Sequence, residues 1–560
     1  MTFITDKIKQ TIYYLKHTCL ISYRKEAIYM QHSWKDRIDL NKNEQTKLQK
    51  DGLAIFQDLE KFRELSMAEM LPEDIELLKW AGVYAQRPKD GHFMLRIKIP
   101  SGKFSALQAR EIALLAKKYG HGEIQITTRQ AMQLHWLELK DLPDILERLQ
   151  KIGLTTTEAC GDCPRNILGN PLMGIDPDEL IDTTAIVEEL MAFFIDNPEF
   201  SNLPRKFKIS VSSNPHDTGY AAINDLAFIP ASLTTNETTI NGFHALVGGG
   251  LSADPHLAKK LDVFLTPKEV LPFARAIALI FREQGYRVKR THCRLKFLIE
   301  DWSLEKIYQE IKNITGPLIH GGQTHSKDWN PGIYHGIHPQ KQTGYSYIGA
   351  DIPMGQLRDA DLLAFADLAE IHGDGNLRTT NSQNILLINI PDNNVPQIIQ
   401  APLLQKFSIE PKFFSGYATA CTGNTYCNWA PIETQQRLLA LAQTLDKEFP
   451  KISSPIRLHL SGCPHSCAQT QIADIGLCGG LERIGDISIA SFTISIGGTL
   501  GSTPAFAKQL KGRIKENDVL TFLRKILELF MANQKNAESF HQFSQRTDFA
   551  VFQQIFDDCR

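Results

Sequence analysis

Two stretches of this chain recur within it, and that recurrence restricts the folds open to it more than any other feature. Ile99-Pro100-Ser101-Gly102 returns as Ile352-Pro353-Met354-Gly355, 253 positions on. At the same offset Gly122 meets Gly375, Thr127 meets Thr380 and Gln130 meets Gln383. A second pair of segments repeats at an offset of 249: Asn214-Pro215-His216 with Cys463-Pro464-His465, Asn224-Asp225-Leu226 with Ala473-Asp474-Ile475, and Gly248-Gly249 with Gly497-Gly498. The period far exceeds that of a solenoid. The order is module A, module B, module A′, module B′, a pseudo-twofold chain that buries a ligand naturally between its halves.

Apolar periodicity predicts helix over residues 41–80, with Leu48, Ile55, Phe56, Leu59 and Phe62 at helical spacing. It then predicts a strand at 93–99, a helix at 106–119, a strand at 123–127, a strand through Leu134-His135-Trp136 and a helix at 142–152. The β-α-β-β-α order is that of a small ferredoxin-like module. Arg96 and Lys98 fall on one face of the first strand, because strand side chains alternate.

With 560 residues, 42% apolar, 22% charged and a net charge of −2, nothing in the total favours nucleic acid or an anionic membrane. Ten cysteines in so long a chain are no disulfide framework and fit a reducing, cytoplasmic setting. The apolar stretch at 11–23 is broken by Lys16, too short to span a bilayer and without a cleavage site, so no signal peptide or membrane helix is expected. Met30 is an alternative start, and Cys19 and Cys559 near the ends carry no expected role.

Five residues separate Cys421 from Cys427, and three separate Cys463 from Cys467. Zinc ribbons use closer pairs, and bacterial ferredoxins use a tight run of three cysteines plus a distant one. The residues alone leave open four buried structural thiols, a zinc-stabilised binding module and a non-enzymatic electron carrier. The pattern lies in one half only, since Asn214 stands where the repeat has Cys463. Cys160-Gly-Asp-Cys163 reads in isolation as a redox or zinc pair, but no second zinc-like pair accompanies it.

The first half carries the basic residues in glycine- and proline-rich turns: Arg96, Lys98, Arg129, Arg165, Arg205, Lys206, Lys208, Arg294 and Lys296, with Lys341 further on. Turns of this composition hold charges close to something rather than on a solvated helix face.

Both cysteine pairs, Thr127-Thr-Arg-Gln130, Arg165-Asn166 with Gly169-Asn-Pro171, Leu203-Pro-Arg-Lys206, Asn224-Asp225-Leu-Ala227 and Gly248-Gly-Gly-Leu-Ser252 resemble the sirohaem-dependent sulfite and nitrite reductases over residues 41–546. The resemblance implies an α+β, duplicated pseudo-twofold fold. It has an N-terminal helical extension (1–83), ferredoxin-like modules at 84–155 and 336–408, and larger α/β sirohaem and [4Fe-4S] modules at 156–335 and 409–560. It implies that Cys421, Cys427, Cys463 and Cys467 bind a [4Fe-4S] cluster, with Cys467 shared with the sirohaem iron. Arg96, Arg165, Lys206 and Lys208 match substrate-facing cations. Arg129, Gln130, His135, Arg205 and Arg294 match positions near the tetrapyrrole, whose eight carboxylates suit arginine forks. In some members a cysteine like Cys163 is joined covalently to a tyrosine like Tyr84.

The expected reaction is six-electron reduction of sulfite to sulfide, with nitrite to ammonia as the alternative. Lys208 and His135 stand where the nitrite branch tends to carry Asn and Arg, and both departures favour the sulfite dianion. No Gly-x-Gly-x-x-Gly fingerprint follows a strand, so electrons are expected from a partner. That partner is a ferredoxin or a separate flavoprotein, met by Lys117-Lys118, Lys259-Lys260 and Lys289-Arg290.

Overall fold

The computed structural model describes residues 33–330, 334–536 and 538–560. The stretch at 11–23, Cys19 and Met30 lie outside them.

Each ferredoxin-like module contributes four antiparallel strands and borrows a fifth from its twin. Val83–Ala85, Phe93–Ile97, Met132–Leu137 and Glu123–Ile126 lie side by side, and Gln356–Arg358 from the second module closes the edge. Reciprocally, Lys103–Ser105 closes the sheet of Gly336–Pro339, Tyr345–Ala350, Ile385–Pro391 and Asn376–Thr379. The exchanged strands are themselves repeat mates. The helices Ala106–Tyr119 and Asp359–His372 pack together, and one continuous apolar core serves both modules. The sequence pattern predicts two modules but not this exchange, because a three-residue edge strand has no periodicity of its own.

The repeated residues are the ones that make the exchange possible. Ser101 and Met354 turn with φ of 48° and 55°, and Gln130 and Gln383 with φ of 56° and 67°. The Gln130 side chain donates to Gly169 O (3.1 Å), while Thr379 Oγ1 donates to Gln130 O (2.8 Å); Gln383 Nε2 donates to Ile126 O (2.9 Å). Gly102 has φ of +77°, and a Cβ there would sit 2.0 Å from Thr379 O. Gly102→Ala is therefore expected to cost about 3 kcal/mol or more and to lower the midpoint of thermal unfolding; an unchanged melt would show that the two modules do not depend on this junction.

The larger modules share one plan. Leu168–Gly169, Ile209–Val211 and Leu226–Thr235 run parallel and are extended by antiparallel Thr238–Val247 and Lys259–Leu265. Thr419–Ala420, Leu458–Ser461, Ile475–Ile484 and Ile487–Ile496 repeat the pattern. Each sheet packs against its own helices in a separate core; Cys559 lies half-buried against the second.

The N-terminal region is not one helix over 41–80. It is a helix Lys42–Gln49, 3-10 turns at Gly52–Gln57 and Lys61–Glu64, and a short helix Pro72–Leu77. Asp51 caps the first turn through Leu53 N, and Gly52 lies flat against the Trp80 ring, where a Cβ would meet it at 2.3 Å. The first helix has already ended by then, with Lys50 extended at φ of −144°. Ile55, Leu59 and Phe62 are buried as expected, but Leu48 is exposed.

Candidate active site

The cysteines follow the carboxyl ends of parallel strands, where open α/β sheets bind ligands. Cys421 comes directly after Thr419–Ala420, and Cys463 two residues after Leu458–Ser461. Gly462 N donates to Cys421 Sγ (3.2 Å), Trp429 N to Cys427 Sγ (3.4 Å), and Cys463 Sγ lies 3.3 Å from His465 Nδ1. Burial raises the Cys463 thiol to about 12, and Cys467, Cys421 and Cys427 add to the shift, so all four sulfurs share one electrostatic neighbourhood. Among the described residues no three Cys, His, Asp or Glu side chains converge as the ligands of a single ion. Thiols gathered loosely in this way suit a polynuclear cluster better than one zinc.

The basic residues of the first half form a second cluster that meets the first. Arg294 makes a forked pair with buried Asp225 (2.8 and 2.9 Å), and the same carboxylate accepts from Lys208 N (2.9 Å). Arg129 donates to Asn224 Oδ1 (2.8 Å) and Asn166 O (2.7 Å). Arg165 is clasped by Gly161 O (3.0 and 2.6 Å) and Ala159 O (3.2 Å). Arg205 pairs with Asp162 (3.1 Å), and Arg96 Nη1 with Cys160 Sγ (3.3 Å). Arg96 and Lys98 both reach the 160–165 loop, as their shared face requires.

Burial lowers Lys206 well below the ordinary lysine value, helped by Lys208, Arg205, Arg294 and Arg165. Lys208 is lowered likewise by burial, Arg129 and Arg294, while Asp225 and Cys467 oppose the shift. Burial brings Arg129 down to about 9, with Arg165, Arg294 and Arg96 adding to it. Seven cations thus sense one another, and one senses Cys467. Among the described residues no acceptor takes a hydrogen bond from the ammonium of Lys206 or Lys208, and the Nε atoms of Arg96 and Arg129 are buried without a partner. Like charges gathered in this way, two of them without an acceptor, suit an anionic ligand.

Family models match the chain over 160–316 and 417–558 (nitrite and sulphite reductase 4Fe-4S domain) and over 84–152 and 338–404 (nitrite/sulfite reductase ferredoxin-like half domain). The chain belongs to the nitrite and sulfite reductase family. It is 38% identical to the ferredoxin–nitrite reductase of Synechococcus elongatus over 87% of this chain and 96% of that one. It is 31% identical to sulfite reductase [ferredoxin] 2 of Mycolicibacterium paratuberculosis over 92% and 96%. The solved Mycobacterium tuberculosis NirA protein superposes with a TM-score of 0.86 at 30% identity, covering 92% of this chain and 97% of that one. The cofactors of the family are sirohaem and a [4Fe-4S] cluster, and the residues fit both: unpaired cations for a polycarboxylate, and four loosely gathered thiols for a cluster. Among the described residues no helix is long and apolar enough to cross a membrane.

The structure gives several predicted residues a different setting. Gln130 is fully buried, with its side chain on Gly169 O and its carbonyl accepting from Thr379 Oγ1 of the second ferredoxin-like module. His135 is buried, stacked on Tyr426 with centroids 3.8 Å apart, and pushed down to about 3 by burial and Arg96. It backs the loop between Cys421 and Cys427. Cys163 donates to Cys160 O (2.8 Å), whereas the thiol that acts on the Tyr84 phenol is Cys160. Burial and Cys160 raise that phenol to about 12. Lys341 is taken up by Glu179 (2.7 Å) and Lys296 by carbonyls of the 251–254 loop.

Asp162, Asn224 and Asp225 hold the cations and were missed as site residues. The signal was present: Asp225 and its mate Asp474 are retained across the repeat, and each accepts from the backbone N–H of a mate pair, Lys208 and Arg457 (2.9 Å in both).

That comparison also shows why one half carries the site. Arg457 is locked on Asp474 (2.6 Å) and over the Trp329 ring, and Ser382 stands where the first half has Arg129. Tyr220, Trp329 and Tyr417 fill the twin position, leaving about 20 Å³, room for one water. The scaffold itself is kept. Thr128 Oγ1 donates to Cys467 O (3.1 Å), and its mate Asn381 Nδ2 donates to Thr218 O (2.7 Å).

Proposed function

We propose that this chain is a ferredoxin-dependent nitrite reductase, carrying out the six-electron reduction of nitrite to ammonia. The reaction class rests on the seven mutually sensing cations, one of which, Lys208, senses Cys467. The choice of nitrite rests on the relatives named for it, at identities up to 38%. A second reading, sulfite to sulfide, is favoured by one observation: Lys208 adds a cation beside Lys206, which suits a dianion. The companion argument from His135 does not hold, because a buried, neutral imidazole against Tyr426 says nothing about charge at the substrate.

Sirohaem, when bound, supplies an iron that takes the anion, and the cluster supplies electrons singly. The chain supplies the rest. Arg165 is fixed by three carbonyl contacts, so its guanidinium offers preorganised charge. Burial works against that charge, but Tyr84, Cys160 and Cys163 outweigh it and hold the Arg165 pKa up. Arg165 therefore orients the anion and does not give up a proton. Lys206, crowded by cations, is the group suited to pass a proton to an oxygen leaving as water.

The electron donor is a ferredoxin. Lys117, Lys118, Lys259, Lys260 and Lys289 are exposed and suit an acidic partner. Arg290 drops out of that surface, since Asp162 holds both its terminal nitrogens (2.7 and 3.1 Å).

Purified enzyme should show sirohaem bands in the visible and oxidise reduced ferredoxin on addition of nitrite. Comparing kcat/KM for nitrite and sulfite decides between the readings, and a preference for sulfite would overturn the first. Lys208→Asn is expected to lower kcat/KM for sulfite about 10-fold more than for nitrite. An equal fall for both anions would remove Lys208 as the discriminating group.

A further inference from the structure

The region before Val83 lies outside the matched family models, yet it reaches directly into the loop that carries Arg205, Lys206 and Lys208. Lys47, on the helix Lys42–Gln49, donates to Leu203 O (2.9 Å) and pairs with Asp162 (3.5 Å) and Glu44 (2.5 Å). Glu44 pairs in turn with Arg287, whose guanidinium donates to Asn202 O (3.1 Å). Asp51 accepts from Ser201 Oγ (2.9 Å) and from the Asn202 amide. Trp80 Nε1 donates to Ser201 O (2.7 Å). Three consecutive residues, Ser201 to Leu203, are therefore gripped by the N-terminal region, directly before Pro204-Arg205-Lys206. Asp162 closes the circuit: Leu203 N donates to its carbonyl (2.8 Å), and its carboxylate holds Lys47, Arg205 and Arg290.

Glu44, Lys47, Asp162 and Arg287 are all nearly or fully buried. A buried charge network of this size is a poor way to gain stability, since apolar groups of the same volume often do as well. It does fix geometry, because each charged group has few orientations that leave none unpaired. We propose that the N-terminal region is a clamp that sets the position of Arg205 and Lys206, with Lys47 and Asp162 as its positioning residues. This rests on reading the cation cluster as the anion site.

The test uses the full-length holoenzyme with Lys47→Met, which keeps the aliphatic stem, and Lys47→Arg, which restores the charge. Amide hydrogen exchange reads the loop directly. Lys47→Met should speed exchange at 201–208 by about 10-fold, with the second-half sheet unchanged. With a viologen dye as donor, KM for nitrite should rise about 5-fold or more while kcat changes less, and Lys47→Arg should recover most of both. Unchanged exchange at 201–208, a uniform rise along the chain, or an unchanged KM despite faster local exchange would each overturn the clamp. Should Lys47→Met fail to fold, Asp51→Asn loosens the same loop from its edge and carries the same expectations. Failure of the underlying site reading shows separately. In that case Lys206→Met leaves KM for both anions unaltered, while the exchange result for Lys47→Met still reports on the grip.

Discussion

Cys467→Ser is expected to lower kcat/KM for nitrite at least about 1000-fold, equivalent to about 4 kcal/mol of lost transition-state stabilisation. Three observations single this residue out from the other three cysteines. It is the most exposed of the four thiols. Its carbonyl is tied to the first half by Thr128 (3.1 Å), and its charge is sensed by Lys208. Of the four, it is thus the cysteine at the seam between the thiol set and the cations, where a ligand shared by both cofactors would stand. Serine oxygen is a harder, weaker ligand for iron–sulfur chemistry than thiolate. The visible and paramagnetic spectra of the variant should report separate cofactors in place of a coupled pair. Cys463→Ser should act differently, by lowering iron content. A Cys467→Ser enzyme with full activity would refute the assignment.

The long offsets between Gln130 and Gln383 and between Asp225 and Asp474 made the pseudo-twofold plan legible, because tight turns need particular residues whose identity survives duplication. The helix at 106–119 and the strands around it followed from apolar spacing. What could not be read was anything decided by partners distant in sequence. The strand exchange depends on two three-residue edges, each pairing with the other module: Gln356 with Gln125, and Ser105 with Asn376. The helical reading of 41–80 holds only as short pieces, and the contact of Gly52 with Trp80 between them is one that no local pattern encodes.

Within the site the same division holds. The cations were visible by type and setting. Which of them stay free was not, since that depends on carboxylates elsewhere in the chain. Asp162 takes Arg205 and Arg290, Asp225 takes Arg294, and Glu179 takes Lys341. Gln130 shows the converse: its motif places it beside Arg129, but the pattern does not reveal that its side chain is held by Gly169 O.

Lys206, with Lys208, keeps its ammonium free of any acceptor among the described residues, and its replacement is the second large effect expected. Lys206→Met should lower kcat/KM for nitrite about 100-fold, the scale of losing one preorganised donor, with absorption of the bound cofactors retained. The pH dependence identifies its role. Burial, followed by Lys208, Arg205, Arg294 and Arg165, lowers its pKa, so the protonated form is lost at lower pH than for an ordinary lysine. Because the protonated form attracts the anion and donates the proton, kcat/KM should be level on the acid side and fall as pH rises through that lowered value. Lys206→Arg separates the two roles, since an arginine keeps its charge but does not release a proton. Its KM should stay near that of the wild type and the alkaline fall should move upward, while kcat drops about 10-fold or more. A profile that keeps its alkaline limb in Lys206→Arg would assign that limb, and the proton, to another group.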